Sequence, residues 1–326
     1  LLYLSSLVRY LVKKRVLLVV LVLLAARAMA QQTPQFTQFM FNTLFYNPAF
    51  AGTEGVTKLT AIHRTQWLGY QPTFGGGGAP TTQIVTFSTP IFKLNSGFGA
   101  HIVNDRLGPQ NNLEAQASYA YHIGIRESKL SLGVRAGFFS QSIDFNMYRP
   151  VQGGDPVLQG AGREAQVRPD LAVGAFFRKE KYYVGASFNH LIRSQFDFGE
   201  GQRNALQTHM FLTGGYFYEV NFDLRFQFVG LVQSDFTKTS FDLGALAYLK
   251  ETLWGGLSFR RAEAAIVMLG YSFLKDKSLR LGYALDYVIQ DQTAKRPTSH
   301  EFLLSYELPV NPGSGKKVVR TPRYRH

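Results

Sequence analysis

From Gln31 onward the chain contains no apolar run long enough to cross a membrane as a helix, which takes about 20 residues. What recurs instead is a segment of about ten residues whose polarity alternates, followed by a turn. Near 221–229, Phe222, Leu224, Phe226 and Phe228 fall on one face, and Asp223, Arg225 and Gln227 on the other. Leu130, Leu132, Val134, Ala136 and Phe138 oppose Ser131, Gly133, Arg135 and Gly137. Leu279, Leu281, Tyr283, Leu285 and Tyr287 oppose Arg280, Gly282, Ala284 and Asp286. A helix would scatter these sets around its circumference; a strand sorts them onto two faces because its side chains alternate with period two.

Fourteen such segments are legible, near 56–67, 80–91, 97–104, 112–124, 129–143, 170–178, 181–190, 206–218, 221–232, 239–249, 253–260, 263–273, 278–289 and 299–309. Their connections alternate. Short polar turns such as 93–96, 126–128, 179–180, 219–220, 250–252 and 275–277 are interleaved with mostly longer loops, such as 68–79, 144–169, 191–205 and 290–298. The short connection Arg261-Ala262 breaks the pattern. Short periplasmic turns and long external loops mark outer-membrane barrels, and an even strand number puts both termini in the periplasm. The fold expected is therefore all-β: a transmembrane antiparallel up-and-down β-barrel of about 14 strands in the outer membrane.

The competing architecture is a soluble β-sandwich, whose apolar faces point inward. Here the apolar faces carry large Phe, Leu, Tyr and Val residues, while the opposite faces mix Gly, Ser, Gln, Arg, Asp and Glu as a wet lumen would. Aromatics gather toward segment ends, at Trp67, Tyr119, Tyr121, Tyr182, Tyr183, Tyr216, Tyr218, Tyr248, Trp254 and Tyr287. Such rings suit interfacial girdles. On this reading Leu281 faces lipid and Gly282 the lumen.

Residues 1–30 read as a cleavable signal peptide: Lys13, Lys14 and Arg15 precede the apolar run Val16–Ala26, and Ala28-Met29-Ala30 presents small residues for cleavage before Gln31. Residues 31–55 are expected to form an N-terminal periplasmic or lumen-docked segment, 56–309 the barrel, and 310–326 a basic periplasmic tail. The formal charge is +13, but five positive charges lie in residues 1–30 and five more at Lys316, Lys317, Arg320, Arg323 and Arg325, without acids in either stretch. Setting these ten aside takes +13 down to +3 for the body. No basic patch for nucleic acid is expected on the folded surface.

Chemistry-bearing motifs are sparse. Gly75 to Gly78 lack the Lys-Ser/Thr that would make a phosphate loop. No histidine has a metal-ligand spacing, no serine a nucleophile-elbow setting, and there is no cysteine. No catalytic residue, metal site or cofactor is expected. Inward carboxylates are expected to pair with Arg135, Arg225 or Arg280.

Several short motifs run in order along the chain. Pro34, Phe36, Gln38 and Asn42 precede Asn47-Pro48-Ala49-Phe50-Ala51-Gly52; Arg64, Gln66 and Trp67 follow; then Gly78-Ala79-Pro80-Thr81-Thr82-Gln83, Asn104-Asp105-Arg106-Leu107-Gly108-Pro109, and Tyr182 to Ser187 with His190-Leu191. This order resembles the PorP/SprF family, although Thr33, Thr37 and Phe39 stand where that family has Asp, Ser and Tyr. The resemblance implies an outer-membrane component associated with the type IX secretion or gliding machinery of Bacteroidetes. It further implies support for the secretion or surface attachment of cargo such as adhesins. The partners implied are outer-membrane lipid, periplasmic components of the machinery and the cargo itself.

The residues themselves say less. Asn47-Pro48 initiates a turn, and Phe36 to Phe50 are too aromatic for a free tail, so they are expected to dock in the lumen or at its periplasmic mouth, or to form a first strand or core segment. Lys316, Lys317, Arg320, Arg323, Tyr324 and Arg325 read as a docking strip for an acidic periplasmic partner, or as a solubilising end. A diffusion porin is the alternative function, and an outer-membrane enzyme the third.

Overall fold

The computed structural model describes residues 33–72, 77–148, 162–198, 204–274, 276–290 and 295–308. Its strands in chain order are β1 (Thr57–Thr65), β2 (Thr81–Ile91), β3 (Ser96–Leu107), β4 (Gln110–Ile125), β5 (Ser128–Asp144), β6 (Arg163–Arg178), β7 (Tyr182–Asn189), β8 (Gln195–Phe196) and β9 (Asn204–Ala205). They continue with β10 (His209–Glu219), β11 (Leu224–Ser234), β12 (Thr239–Leu249), β13 (Leu253–Arg260), β14 (Ala264–Phe273), β15 (Leu279–Val288) and β16 (Thr298–Leu308). Each of the fourteen expected segments is a strand. All fourteen join, neighbour to neighbour, into one closed antiparallel barrel, and β8 and β9 pair separately. The seam runs from Thr57 opposite Leu308 to Thr65 opposite His300. Closure removes every free sheet edge, which a lipid-embedded strand cannot leave unpaired.

Burial along the strands follows the alternation. In β14 every second residue is buried from Ala264 onward, while Val267, Leu269, Tyr271 and Phe273 face outward. In β15 Leu281 is outward and 41% exposed, and Gly282 is inward and buried. The expected girdle is correct in part. Tyr119, Tyr121, Tyr182, Tyr216, Tyr218 and Tyr287 are exposed on the outer wall, but Tyr183, Tyr248 and Trp254 are buried inside. Tyr182 and Tyr183 are adjacent, so the pleat must send them to opposite faces.

Between strands, the connections on one side stay short throughout, as at 92–95, 126–127 and 179–181. On the other side four are long, and those after β3, β11 and β13 are tight. Short turns mark the periplasmic side. β4, β5 and β6 have 16, 17 and 16 residues, well beyond the ~10 that span the bilayer. Their surplus projects on the external side, where Phe139, Phe145, Phe196, Phe198 and Leu206 form a small apolar cluster of their own.

The inward wall is not uniformly polar. Ile62, Ile84, Val103, Leu231, Ile266, Met268 and Leu303 point inward and are buried. The chain before β1 packs against them. It runs through a 3-10 turn (Phe39–Phe41), a one-turn helix α1 (Thr43–Tyr46) and a second 3-10 turn (Pro48–Phe50). Phe36, Phe39, Phe41, Phe45 and Tyr46 share one core with the wall. A fourteen-stranded barrel is too wide to be filled by its own inward side chains, so this apolar stretch of wall needs such a filler.

Candidate functional site

The lumen segment is held at two anchors. At the first, the chain enters extended before its 3-10 turn, and the amides of Thr37 and Gln38 have no helical acceptor. Glu301 of β16 supplies one: Thr37 N donates to Oε2 at 2.7 Å and Gln38 N to Oε1 at 2.8 Å. Thr37 Oγ1 donates to Asp286 at 2.8 Å. Arg64 Nη2 pairs with the same Asp286 at 2.7 Å, and its Nη1 lies 3.5 Å from Glu301. Arg260 continues the cluster, 2.9 Å from Asp242 and 3.6 Å from Asp286, and its Nη2 donates to Phe36 O at 3.4 Å. Arg64, Arg260, Asp242, Asp286 and Glu301 are all buried. Taking charges out of water is costly unless they are paired and hydrogen-bonded. Here the backbone and hydroxyl donors of the plug complete the carboxylate coordination.

The second anchor is Asn47-Pro48-Ala49 with Ala51-Gly52. Asn47 Oδ1 accepts from Ala49 N at 2.9 Å, capping the Pro48 turn, while its Nδ2 donates to the wall carbonyls of Ala175 at 2.9 Å and Ala186 at 3.3 Å. A carboxylate could not donate to those carbonyls. The wall here is stripped of side chains. A Cβ on Gly133 would overlap the backbone of Pro48 and Ala49, one on Gly97 the carbonyl of Ala51, and one on Gly174 the Asn47 amide. The plug backbone therefore lies directly against β3, β5 and β6. At the C-terminal end of α1 the free carbonyls find wall donors: Arg135 Nη1 to Phe45 O at 2.7 Å, and Ser187 Oγ to Tyr46 O at 2.7 Å.

Rings fill what remains. Phe36 meets Phe45 edge-on at 5.3 Å, Tyr46 meets Phe211 at 5.2 Å, Phe41 packs on Trp254 at 4.7 Å, and Phe50 on Phe176 at 5.2 Å. Tyr46 Oη accepts from Phe36 N at 3.1 Å, closing the plug on itself. Burial pushes the Tyr46 phenol up, so it remains protonated.

Of the motif residues, Phe36, Gln38, Asn42, Asn47, Pro48, Ala49 and Arg64 are buried within this lumen, and Pro34 is half-buried at its entry. Gly52 has φ +69° and donates to Ser88 Oγ at 2.9 Å. Asn42 is buried, and its side-chain amide meets no hydrogen-bond partner among the described residues. The other motif residues sit elsewhere. Gln66 and Trp67 follow β1 at the external rim; Gln66 reaches Glu263 at 3.4 Å, and Trp67 N donates to Ser299 Oγ at 3.0 Å. Asn104 lies on the outer wall, donating to Gln83 Oε1 at 2.9 Å, while Asp105 points inward and accepts from Thr82 Oγ1 at 2.6 Å. Two motifs thus meet across the β2–β3 ladder. Gly108, with φ +60°, makes the tight turn after β3. Lys316, Lys317, Arg320, Arg323, Tyr324 and Arg325 lie outside the described residues, as do residues 1–30.

The expected arginine pairing needs correction. Arg225 does pair with Glu251, at 3.0 Å. Arg135 spends its guanidinium on plug carbonyls, and Arg280 stacks 5.0 Å from the Phe41 ring centroid. The ion cluster is built instead on Arg64 and Arg260 with Asp242, Asp286 and Glu301. The alternation of polarity marks these residues as inward. Nothing in sequence spacing brings together groups from β1, β12, β13, β15 and β16.

A closed fourteen-stranded wall with its lumen occupied by the segment that precedes it defines a plugged outer-membrane β-barrel. The chain belongs to the PorP/SprF family: residues 28–306 match the type IX secretion system membrane protein PorP/SprF. No curated protein matches it. Among solved structures it is similar to a FadL homologue of Pseudomonas aeruginosa, at 14% identity over 86% of this chain and 97% of that one, TM-score 0.43. It is also similar to a deletion mutant of the monoaromatic hydrocarbon channel TodX, at 11% identity over 81% and 93%, TM-score 0.48. A third is Omp33 of Acinetobacter baumannii, at 6% identity over 78% and 99%, TM-score 0.43.

Proposed function

We propose that this barrel is a closed scaffold of the type IX secretion or gliding machinery, which supports secretion or surface attachment of cargo proteins such as adhesins by protein–protein contact. The observation that carries this reading is the occupied lumen. A segment fixed by a buried ion cluster at one end and by backbone-to-glycine contact at the other stands in the way of free diffusion and supports a closed barrel. A closed barrel offers its two ends. Outside, the projecting β4–β6 strands, braced by the buried Phe139–Phe196 cluster, give cargo a surface. Inside the periplasm, Lys316, Lys317, Arg320, Arg323 and Arg325, interleaved with Val318, Val319 and Tyr324, would attract an acidic component and set its salt dependence. Residues 1–30 would be removed on export.

Affinity isolation from native outer membranes tests this. A periplasmic component and a surface protein are expected to co-purify. Truncation after Val310 is expected to leave a heat-modifiable barrel while uncoupling it from cargo display. A large, steady conductance of the reconstituted intact protein would favour the porin alternative and overturn the scaffold.

A further inference from the structure

Beneath the plug, at the periplasmic mouth, lies a pocket that the anchors do not use. Its ceiling is made by Met40, Phe41 and Phe50 of the plug, and its walls include Phe176, Tyr183 and Phe217. Three inward cations line it: Lys58 near the start of β1, Arg178 at the end of β6, and Arg280 near the start of β15. Lys58 is neutralised by the one acid of the lining, its Nζ sitting 2.7 Å from Glu54. Arg178 and Arg280 have no carboxylate partner among the described residues, and Arg280 Nε is buried without an acceptor.

We propose that this pocket binds a carboxylate side chain on an acidic peptide segment of a periplasmic protein. The proposal rests on the scaffold reading above and gives it a residue-level contact. A guanidinium is a rigid fork of donors matched to a planar carboxylate, and two of them line this pocket. The aromatic walls suit an apolar residue flanking that acid. The geometry also selects among anion sources. Headgroups of the inner leaflet lie outside the wall, whereas these arginines point inward. The chain's own residues 310–326 carry five positive charges and no acidic side chain, so they do not supply one.

The test uses the full chain in detergent and a fluorescein-labelled peptide of alternating Glu and Phe, with the Gln-Phe peptide as control, read by fluorescence anisotropy. The acidic peptide is expected to bind and its neutral counterpart not. Arg178→Gln and Arg280→Gln are each expected to weaken binding about tenfold or more, the scale of one charge-assisted pair. Arg280→Lys, which keeps the charge but loses the fork, is expected to weaken it less. Lys93→Gln, on an exposed periplasmic turn, is expected to leave it unchanged. Equal binding by both peptides, no loss in either arginine variant, or displacement by inorganic phosphate as effective as by unlabelled peptide would overturn the proposal. The two readings fail separately. If native co-purification survives Arg178→Gln with Arg280→Gln, the scaffold stands and the pocket does not. If the peptide binds as expected but no periplasmic protein co-purifies from native membranes, the pocket stands and the scaffold does not.

Discussion

Glu301→Ala isolates the first anchor from the second. The wild-type carboxylate accepts the amides of Thr37 and Gln38 at 2.7 and 2.8 Å in a fully buried site. Removing it leaves two buried N–H groups without acceptors, at about 1–3 kcal/mol each, or about 2–6 kcal/mol together. At about 1.4 kcal/mol per factor of ten, the equilibrium between docked and undocked forms of the first turn should shift by roughly 30-fold to 10⁴-fold. Arg64 retains Asp286, so the wall itself is perturbed less than the plug. Asn47, Ala49 and Gly52 keep every contact with β2, β5, β6 and β7. Hydrogen exchange read by mass spectrometry on the micellar protein should therefore accelerate over residues 36–41 and remain slow over 47–52. Glu301→Gln keeps one acceptor oxygen and should give about half the free-energy effect. Unchanged exchange at Thr37 and Gln38 would refute the reasoning. So would equal acceleration along the whole segment, because the two anchors would then form one cooperative unit.

Gly133→Val should displace the second anchor, because its Cβ meets plug backbone rather than a yielding side chain; exchange should rise at 47–52 while heat-modifiability persists. Leu281→Arg should impair assembly, since a charge on the lipid face costs about 2–4 kcal/mol near the midplane, and the unfolded band in semi-native gels reports it. Gly282→Ser, on the other face of the same strand, should spare assembly but disturb the plug, because the new side chain meets Gln38 and the Trp254 ring; a shift in tryptophan emission checks this. Asp286→Asn removes the carboxylate shared by Arg64 and Arg260 and should cost about 3–5 kcal/mol, read as a lowered thermal midpoint. Deleting residues 31–49 should raise the single-channel conductance of the refolded barrel.

The strands and their two faces were legible because both are local. A period-two pattern is written in consecutive residues, and a closed barrel lets it hold for every strand in turn. Thus Leu281 outward and Gly282 inward follow from the chain alone, as does the alternation of turns and loops. The family motifs were legible too, as short colinear patterns. Their meaning was not. Asn104 and Asp105 read as one motif, yet the pleat sends them to opposite faces, one to Gln83 on the outer wall and one to Thr82 inside. Tyr183, Tyr248 and Trp254 read as girdle aromatics because their residue type suits the interface, and only their parity places them inside.

The sequence offered the lumen as one of several places for residues 36–50; tertiary structure alone decided among them and set the contacts. Thr37 meets Glu301 across 264 positions of sequence, a pairing fixed by barrel closure and by where the plug enters, neither of which leaves a local trace. The inward glycines of β3, β5 and β6 read only as gaps in a polar face. Their function became visible when another stretch of backbone was found lying in them. The sequence by itself determined a wall with an apolar outside and a mixed inside. The fold decided that the inside is a second core, because apolar inward side chains and orphan plug amides each find partners only in the other.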